Sequence, residues 1–259
     1  MFRVLCLFLF SISIHAETLS LCAYVNWSPW IYSKGDSYDG ILIEQLEVFR
    51  QKYPSIKLEI KEINNWKRCQ ADVASGRVSM LLGANKTPER ELIYNYLPEP
   101  AFINRTTVGA YAAKDNEIGE VNSLNDLRKH TLSKTRGNSF GEEIDSFVQS
   151  LEGKYIFEVS TFAQAIKLVG IKRADYFLRV DSSYKSTIRE HHKKFPNYSQ
   201  LEFKKIYAVQ RKTPVYFAFG KNTGNYAKYA DKWLNALKHY HANVMIDERI
   251  RHHKQVSGN

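Results

Sequence analysis

The chain has 259 residues, a formal net charge of +10 and 44% hydrophobic residues. That length suffices for one large domain or two modest ones, each with its own core. The basic residues are dispersed among Asp and Glu and no nucleic-acid-binding module is present, so no nucleic-acid partner is expected; the excess charge steers anionic solutes instead.

Residues 1–16 read as a signal peptide. Met1-Phe2-Arg3 supplies a positive charge, Val4 to Ile14 is an apolar run, and Ile14-His15-Ala16 puts a small residue at the cleavage point. The run is too short to span a bilayer, and no later segment has the length and apolarity of a membrane helix. A soluble periplasmic protein is expected. Cys22 and Cys69 follow the segment, and an even count in an exported chain reads as one disulfide. Cys-x-x-Cys is absent, and His191-His192, His239, His241 and His252-His253 lack a carboxylate or thiolate at ligand spacing. No metal and no cofactor are therefore expected. Asn26-Trp27-Ser28, Asn104-Arg105-Thr106 and Asn197-Tyr198-Ser199 match the glycosylation pattern, which matters only in a eukaryotic host.

Strand and helix signals then alternate. Leu19, Leu21, Ala23 and Val25 alternate as a first strand, followed by a loop from Asn26 to Gly40. Leu42, Leu46 and Phe49 recur at helical spacing, Ile56, Leu58 and Ile60 alternate as a second strand, and Trp66 to Ser75 reads as a short helix ended by Gly76. Val78 to Leu82 is a third, buried strand. Further along, Thr107–Ala113, Thr131–Ser133, Tyr155–Val159, Tyr176–Val180 and Val215–Phe219 are strand-like. Helical faces are marked by Leu124–Leu127, by Ile144, Phe147, Val148 and Leu151, by Phe162, Ala165, Ile166 and Val169, and by Ala230, Trp233 and Leu237. This order predicts an α/β fold with helices on both faces of the sheet. The middle block has its own strands and helices, so it reads as a second domain inserted into the first, with a cleft between them.

The segment Leu81 to Arg90 carries the most chemistry. A strand ends in the small-residue loop Gly83-Ala84-Asn85-Lys86, and Thr87-Pro88-Glu89-Arg90 then has the grammar of a helix start: a capping Thr, Pro in the first turn, and Glu at the positive end. Backbone N–H groups and the Arg90 guanidinium converge just past a strand end, which suits a carboxylate. An ordinary capped helix with a surface arginine fits the same local residues.

Several pieces arrive in one order. Trp27-Ser28-Pro29-Trp30 follows strand one, Asp39-Gly40 precedes the first helix, and Trp66-Lys67-Arg68 leads a helix into Gly76-Arg77-Val78-Ser79. Thr87-Pro88-Glu89-Arg90, Leu124 to Leu127 with Gly137-Asn138-Ser139, Arg173-Ala174-Asp175-Tyr176-Phe177 and Tyr216-Phe217-Ala218-Phe219 come next. Together they resemble the type II periplasmic solute-binding proteins, bacterial extracellular solute-binding protein family 3, in the branch typified by polar amino-acid receptors of ABC importers. The resemblance implies a two-lobed fold, each lobe a mixed sheet flanked by helices, joined by two hinge crossings near Thr107–Ala113 and Val215–Phe219. Lobe 1 would comprise 17–108 and 214–259, and lobe 2 109–213. It implies a monomer that closes on a small-molecule carboxylate or amino-acid-like ligand and serves a membrane importer or sensor. Arg90 would hold the carboxylate with Gly83, Asn85 and Thr87, and Asn138 and Ser139 would donate from the second lobe. Trp27 would pack on the ligand, though it reads equally as a core tryptophan. One departure stands out. The residue five after Asp175, where such receptors carry an acid for the ligand ammonium, is Val180; Asp181 sits one place later and serves only if the strand end is bulged.

The competing reading is an enzyme on the same scaffold, of dehydratase or peptidoglycan-cleaving type. Glu44, Glu143 and Glu158 are candidate acids or bases by residue type, but no pair has a spacing that identifies a mechanism. Ser139 lacks a Gly-x-Ser-x-Gly elbow. No catalytic residue is expected.

Overall fold

The computed structural model describes residues 17–25, 27–61 and 65–257. The signal-peptide reading of 1–16 and the Asn26 acceptor lie outside them. In chain order the strands and helices are β1 (Glu17–Cys22), β2 (Tyr32–Lys34), β3 (Ser37–Asp39), α1 (Ile41–Lys52), β4 (Ile56–Lys61), α2 (Trp66–Ala74), β5 (Met80–Asn85), α3 (Pro88–Glu91), β6 (Tyr94–Tyr96) and β7 (Phe102–Ala113). There follow β8 (Leu132–Thr135), α4 (Glu142–Gln149), β9 (Ile156–Val159), α5 (Phe162–Gly170), β10 (Tyr176–Val180), α6 (Tyr184–Lys194), β11 (Phe203–Gly220), α7 (Asn225–Asn243) and α8 (Ile246–Ser257).

One sheet runs through the molecule in the order β4-β1-β5-β11-β7-β10-β8-β9, with β6 also paired to β11. β1 lies parallel to β4 and β5, and β8 parallel to β9 and β10. Between these two parallel groups the long strands β7 and β11 pair antiparallel from Phe203↔Ala113 to Val215↔Phe102. They are the two continuous connections between the halves. The apolar core divides accordingly. One body packs Leu19, Leu46, Phe49, Leu82, Phe217 and Trp233; the other packs Leu132, Ile144, Phe147, Phe162, Tyr176 and Leu178. A smaller cluster adds to each half, around Val73, Leu81 and Ala218 in the first and Ile166, Val169 and Phe177 in the second; these separate sets of cores on one shared ribbon make the fold two-lobed, as the order of elements predicts.

Local sequence explains the elements near the cleft. β5 is buried from Met80 to Ala84, as a strand in the middle of a covered parallel sheet must be. Gly83 has φ +90°, and a Cβ there would sit 3.2 Å from the Trp27 ring, so this position needs glycine both for its backbone and for its neighbour. The Thr87 hydroxyl accepts from the Arg90 N–H at 3.3 Å and Pro88 opens α3, which is the expected cap. Several boundaries differ. The first strand ends at Cys22, releasing Ala23–Val25 into the loop, and the third begins at Met80 and runs on to Asn85. The strand expected at Val215–Phe219 is the end of an 18-residue strand. Its first part alternates partly covered and exposed residues, including Lys204, Lys205, Arg211 and Lys212, so no apolar run announces it. The β2–β3 hairpin, α6 and α8 also have weak sequence signals, since both helices are rich in charge and histidine.

α8 packs Ile246 and Ile250 against the core and is tied down by a polar cluster as well. Glu44 on α1 accepts from Arg249 Nε at 2.7 Å, from His253 Nε2 at 2.9 Å and from Tyr240 Oη at 2.5 Å. Tyr32 Oη and His253 Nδ1 are hydrogen-bonded at 3.0 Å. Burial pushes the Glu44 carboxyl up, but the bonds from Arg249, Tyr240 and His253 outweigh it and hold the group below its ordinary 4.5. A carboxyl lowered in the folded chain stabilises fully above its unfolded value and ceases to do so as pH falls through the lowered one. The melting temperature of the wild type should therefore drop more steeply from about pH 5 to 3 than that of Glu44→Gln. Parallel profiles would remove Glu44 as the tether of α8.

Cys22 and Cys69 are joined by a disulfide across 47 residues, linking β1 to α2. Both are buried. On the chain-entropy account such a loop contributes about 4 kcal/mol. Mass spectrometry of the exported protein under non-reducing conditions should find neither thiol free, and Cys69→Ser should lose stability of about that size in chemical denaturation. Two free thiols in air-oxidised protein would refute the pairing.

Candidate functional site

The two halves face each other across the C-terminal end of β5 and the loop 137–141 that enters α4. Tyr24 and Trp27, the segment Asn104–Val108 of β7, Arg179–Val180 at the end of β10, Asn138–Phe140, and Arg211 and Thr213 of β11 surround a cavity there. Its walls are aromatic, with Tyr24, Trp27, Trp66, Phe140 and Phe162, and its polar groups are amides, hydroxyls and arginines.

Arg90 is the centre of this arrangement. It is buried, and its Nη1 donates to Asn85 O at 2.8 Å while Nη2 donates to Gly137 O at 2.7 Å. Its guanidinium thus ties the end of β5 in one half to the loop before α4 in the other. Asn85 Nδ2 donates to Ser139 O at 3.0 Å, and Gln70 Nε2 donates to Gly137 O at 2.9 Å. Desolvation by burial lowers the Arg90 pKa, while Tyr96 and Asp145 oppose the shift. Tyr96 is itself pushed up to about 12, first by its own burial, so it stays neutral and donates to Asn85 O at 3.2 Å.

Two further arginines line the cavity. Arg179 is buried against the Phe162 ring at 3.9 Å and the Tyr24 ring at 5.6 Å, and its Nε donates to Thr187 Oγ1 at 2.7 Å. Burial lowers its pKa, opposed by Tyr24 and Glu190. Burial likewise raises the Tyr24 hydroxyl to about 12. Arg211 reaches from β11 to the start of α4, where Nη1 meets Glu143 Oε2 at 3.1 Å; a Cβ on Gly141 would overlap its guanidinium.

Of the residues expected at the site, the structure brings Trp27, Gly83, Asn85, Arg90, Asn138 and Ser139 to this one cavity. Trp27 also packs edge-on to Phe102 and Trp30, so it has a core role as well. Thr87 caps α3 and lines an adjoining hollow shared with Arg90, Asn138 and Ser139. Asp181 does not line the cavity. The β10 strand ends at Val180 without carrying it in. Tyr111 Oη donates to its Oδ1 at 2.6 Å and Lys205 Nζ to its Oδ2 at 2.5 Å. The structure thus leaves Asp181 outside this cavity. Asn104, Thr106, Arg211 and Thr213 come from the cross-strand pairing of β7 with β11, which local sequence does not encode. Arg179 did leave a trace, as a charge inside the buried strand Tyr176–Val180. Among the described residues no group of three or more His, Cys, Asp or Glu is placed to hold a metal ion, and no helix is long and apolar enough to cross a membrane.

No family model and no curated protein matches the chain. Solved structures do. A protein from work on glutathione import and the cystine ABC importer TcyBC of Streptococcus mutans superposes with a TM-score of 0.68 at 17% identity, covering 93% of this chain and 96% of its own. A histidine kinase sensor domain described as similar to periplasmic binding proteins gives 0.67 at 16%, covering 91% and 95%. An ancestral arginine-binding protein bound to glutamine gives 0.66 at 16%, covering 90% and 96%. The chain therefore has the type II periplasmic-binding-protein fold. Its two lobes and the cavity between them are those the long strands define.

Because Asp181 is occupied by Tyr111 and Lys205 outside the cavity, Asp181→Asn should change ligand affinity by less than about threefold, under the 1.4 kcal/mol that a tenfold effect requires. Calorimetric titration checks this. A tenfold loss would place Asp181 at the ligand after all.

Proposed function

We propose that this chain is an exported solute-binding protein whose lobes, 17–108 with 214–259 and 109–213, close on a small anionic or zwitterionic solute and present the closed form to a membrane importer or sensor. The observation that carries the reading is Arg90. A buried guanidinium from one lobe reaches the loop of the other at an aromatic-walled cavity. A ligand carboxylate there exchanges a neutral carbonyl acceptor for a charged one, and charge-assisted bidentate pairs are the stronger and more directional. The separate cores of the two halves and the two strands that join them permit a hinge without unpacking either body.

The likeness to a receptor of amino-acid import and to a kinase sensor domain supports both destinations, import and sensing. Periplasmic localisation rests on the reading of residues 1–16 as a cleaved signal, and a monomer suffices for the mechanism. The enzyme reading loses its candidates. Glu44 is tied to Arg249, Tyr240 and His253 away from the cleft, Glu158 meets Lys134 at 3.3 Å, Glu143 meets Arg211, and none of the three lines the cavity.

Arg90→Lys keeps the charge but loses the planar fork. Removal of one partner of a buried charged pair costs on the order of 2–5 kcal/mol of binding. Titration of wild type and Arg90→Lys with a solute that raises the melting temperature should show most affinity lost, with unchanged circular dichroism. Near-equal affinities would put the anchor elsewhere.

A further inference from the structure

The charges around the cavity restrict the solute further. The lining holds Arg90, Arg179 and Arg211 and no Asp or Glu. The nearby acids are committed elsewhere. Asp145 accepts from Ser139 Oγ at 2.5 Å and from Phe140 N at 2.8 Å, and Asp181 is held by Tyr111 and Lys205. Glu143 pairs with Arg211 from an exposed position, its side chain 61% accessible. A ligand ammonium would meet three guanidinium groups and no lining carboxylate, an arrangement like charges disfavour.

Two of the arginines stand at opposite ends of one loop. Arg90 donates to the carbonyl of Gly137, and Arg211 lies against Gly141. The chain between those glycines spans at most about 14 Å, so one small molecule can touch both guanidinium groups while Asn138 and Ser139 lie between them. Arg179 adds positive charge on a third wall.

We infer that the cavity takes a small dianion with two separated anionic groups and no ammonium, one group on Arg90 and the other on Arg211. This rests on the solute-binding reading above. Glu143 is solvated at the rim, so a ligand group competes with it for Arg211 without leaving a buried carboxylate unpaired. The shared chemistry covers dicarboxylates and phosphorylated carboxylates.

The test is a melting-temperature screen followed by calorimetry on the exported chain, with glutarate, 2-oxoglutarate, 3-phosphoglycerate, L-glutamate, L-glutamine and L-arginine. The expected result is stabilisation by glutarate or 2-oxoglutarate if the second group is a carboxylate, or by 3-phosphoglycerate if it is a phosphate, in each case exceeding that by the three amino acids. Arg211→Gln should then weaken the bound dianion by at least about tenfold with unchanged circular dichroism. If that variant does not fold, Arg211→Lys makes the same comparison. Tighter binding of any of the amino acids than of every ammonium-free probe overturns the dianion and leaves solute binding standing. An unaltered affinity in the Arg211 variant overturns its role, and no stabilisation by any of the six overturns both readings.

Discussion

A buried guanidinium bonded to main-chain carbonyls from both halves of the molecule is the contact on which the rest of this structure turns. Arg90 cannot shed its charge, and taking it out of water is costly unless its donors are satisfied. Asn85 O and Gly137 O satisfy two of them. The carbonyls are neutral, so the site retains a preference for an anion that water no longer screens. The same residue therefore ties one half to the other, and under the proposed reading it also sets which solute lies between them.

The scaffold serves that arrangement. β5 must end where it does for Arg90 to start α3, and Thr87 and Pro88 fix that turn from within the local sequence. The loop that Arg90 meets is set by other means. It lies between β8 and α4, in the half organised by β10, β8 and β9. The β7–β11 ribbon connects the two halves that carry them. The disulfide from β1 to α2 and the Glu44 cluster under α8 cross-link elements of the first half.

Much of this was legible in the sequence, for physical reasons that can be named. Period-two runs such as Ile56, Leu58 and Ile60, and helical stripes such as Ile144, Phe147 and Val148, report burial directly. The Thr87 cap is a short-range interaction and was readable from four residues. The half-solvated start of β11 and the charged helices α6 and α8 give a weaker signal, because only a pair of apolar residues on each helix, Tyr184 and Ile188 or Ile246 and Ile250, reaches a core among many charges. The site divides in the same way. Trp27, Asn85, Arg90, Asn138 and Ser139 lie in loops or at the ends of short elements with their own sequence grammar. Arg211, Asn104 and Thr213 reach the cavity through strand register, which depends on residues a hundred positions apart. Asp181 stays outside the cavity, where Tyr111 and Lys205 claim its carboxylate from neighbouring strands; a strand's sequence does not reveal such partners.

The account's central claim is that a bound anion takes over Arg90 at the seam between the lobes. The most direct measurement is a structure of the exported chain with a solute that stabilises it. The account predicts an anionic oxygen of that solute within hydrogen-bond distance of the Arg90 guanidinium, between β5 and the 137–141 loop. A solute seated beside Asp181, or anywhere that leaves Arg90 bonded only to Asn85 O and Gly137 O, would contradict it.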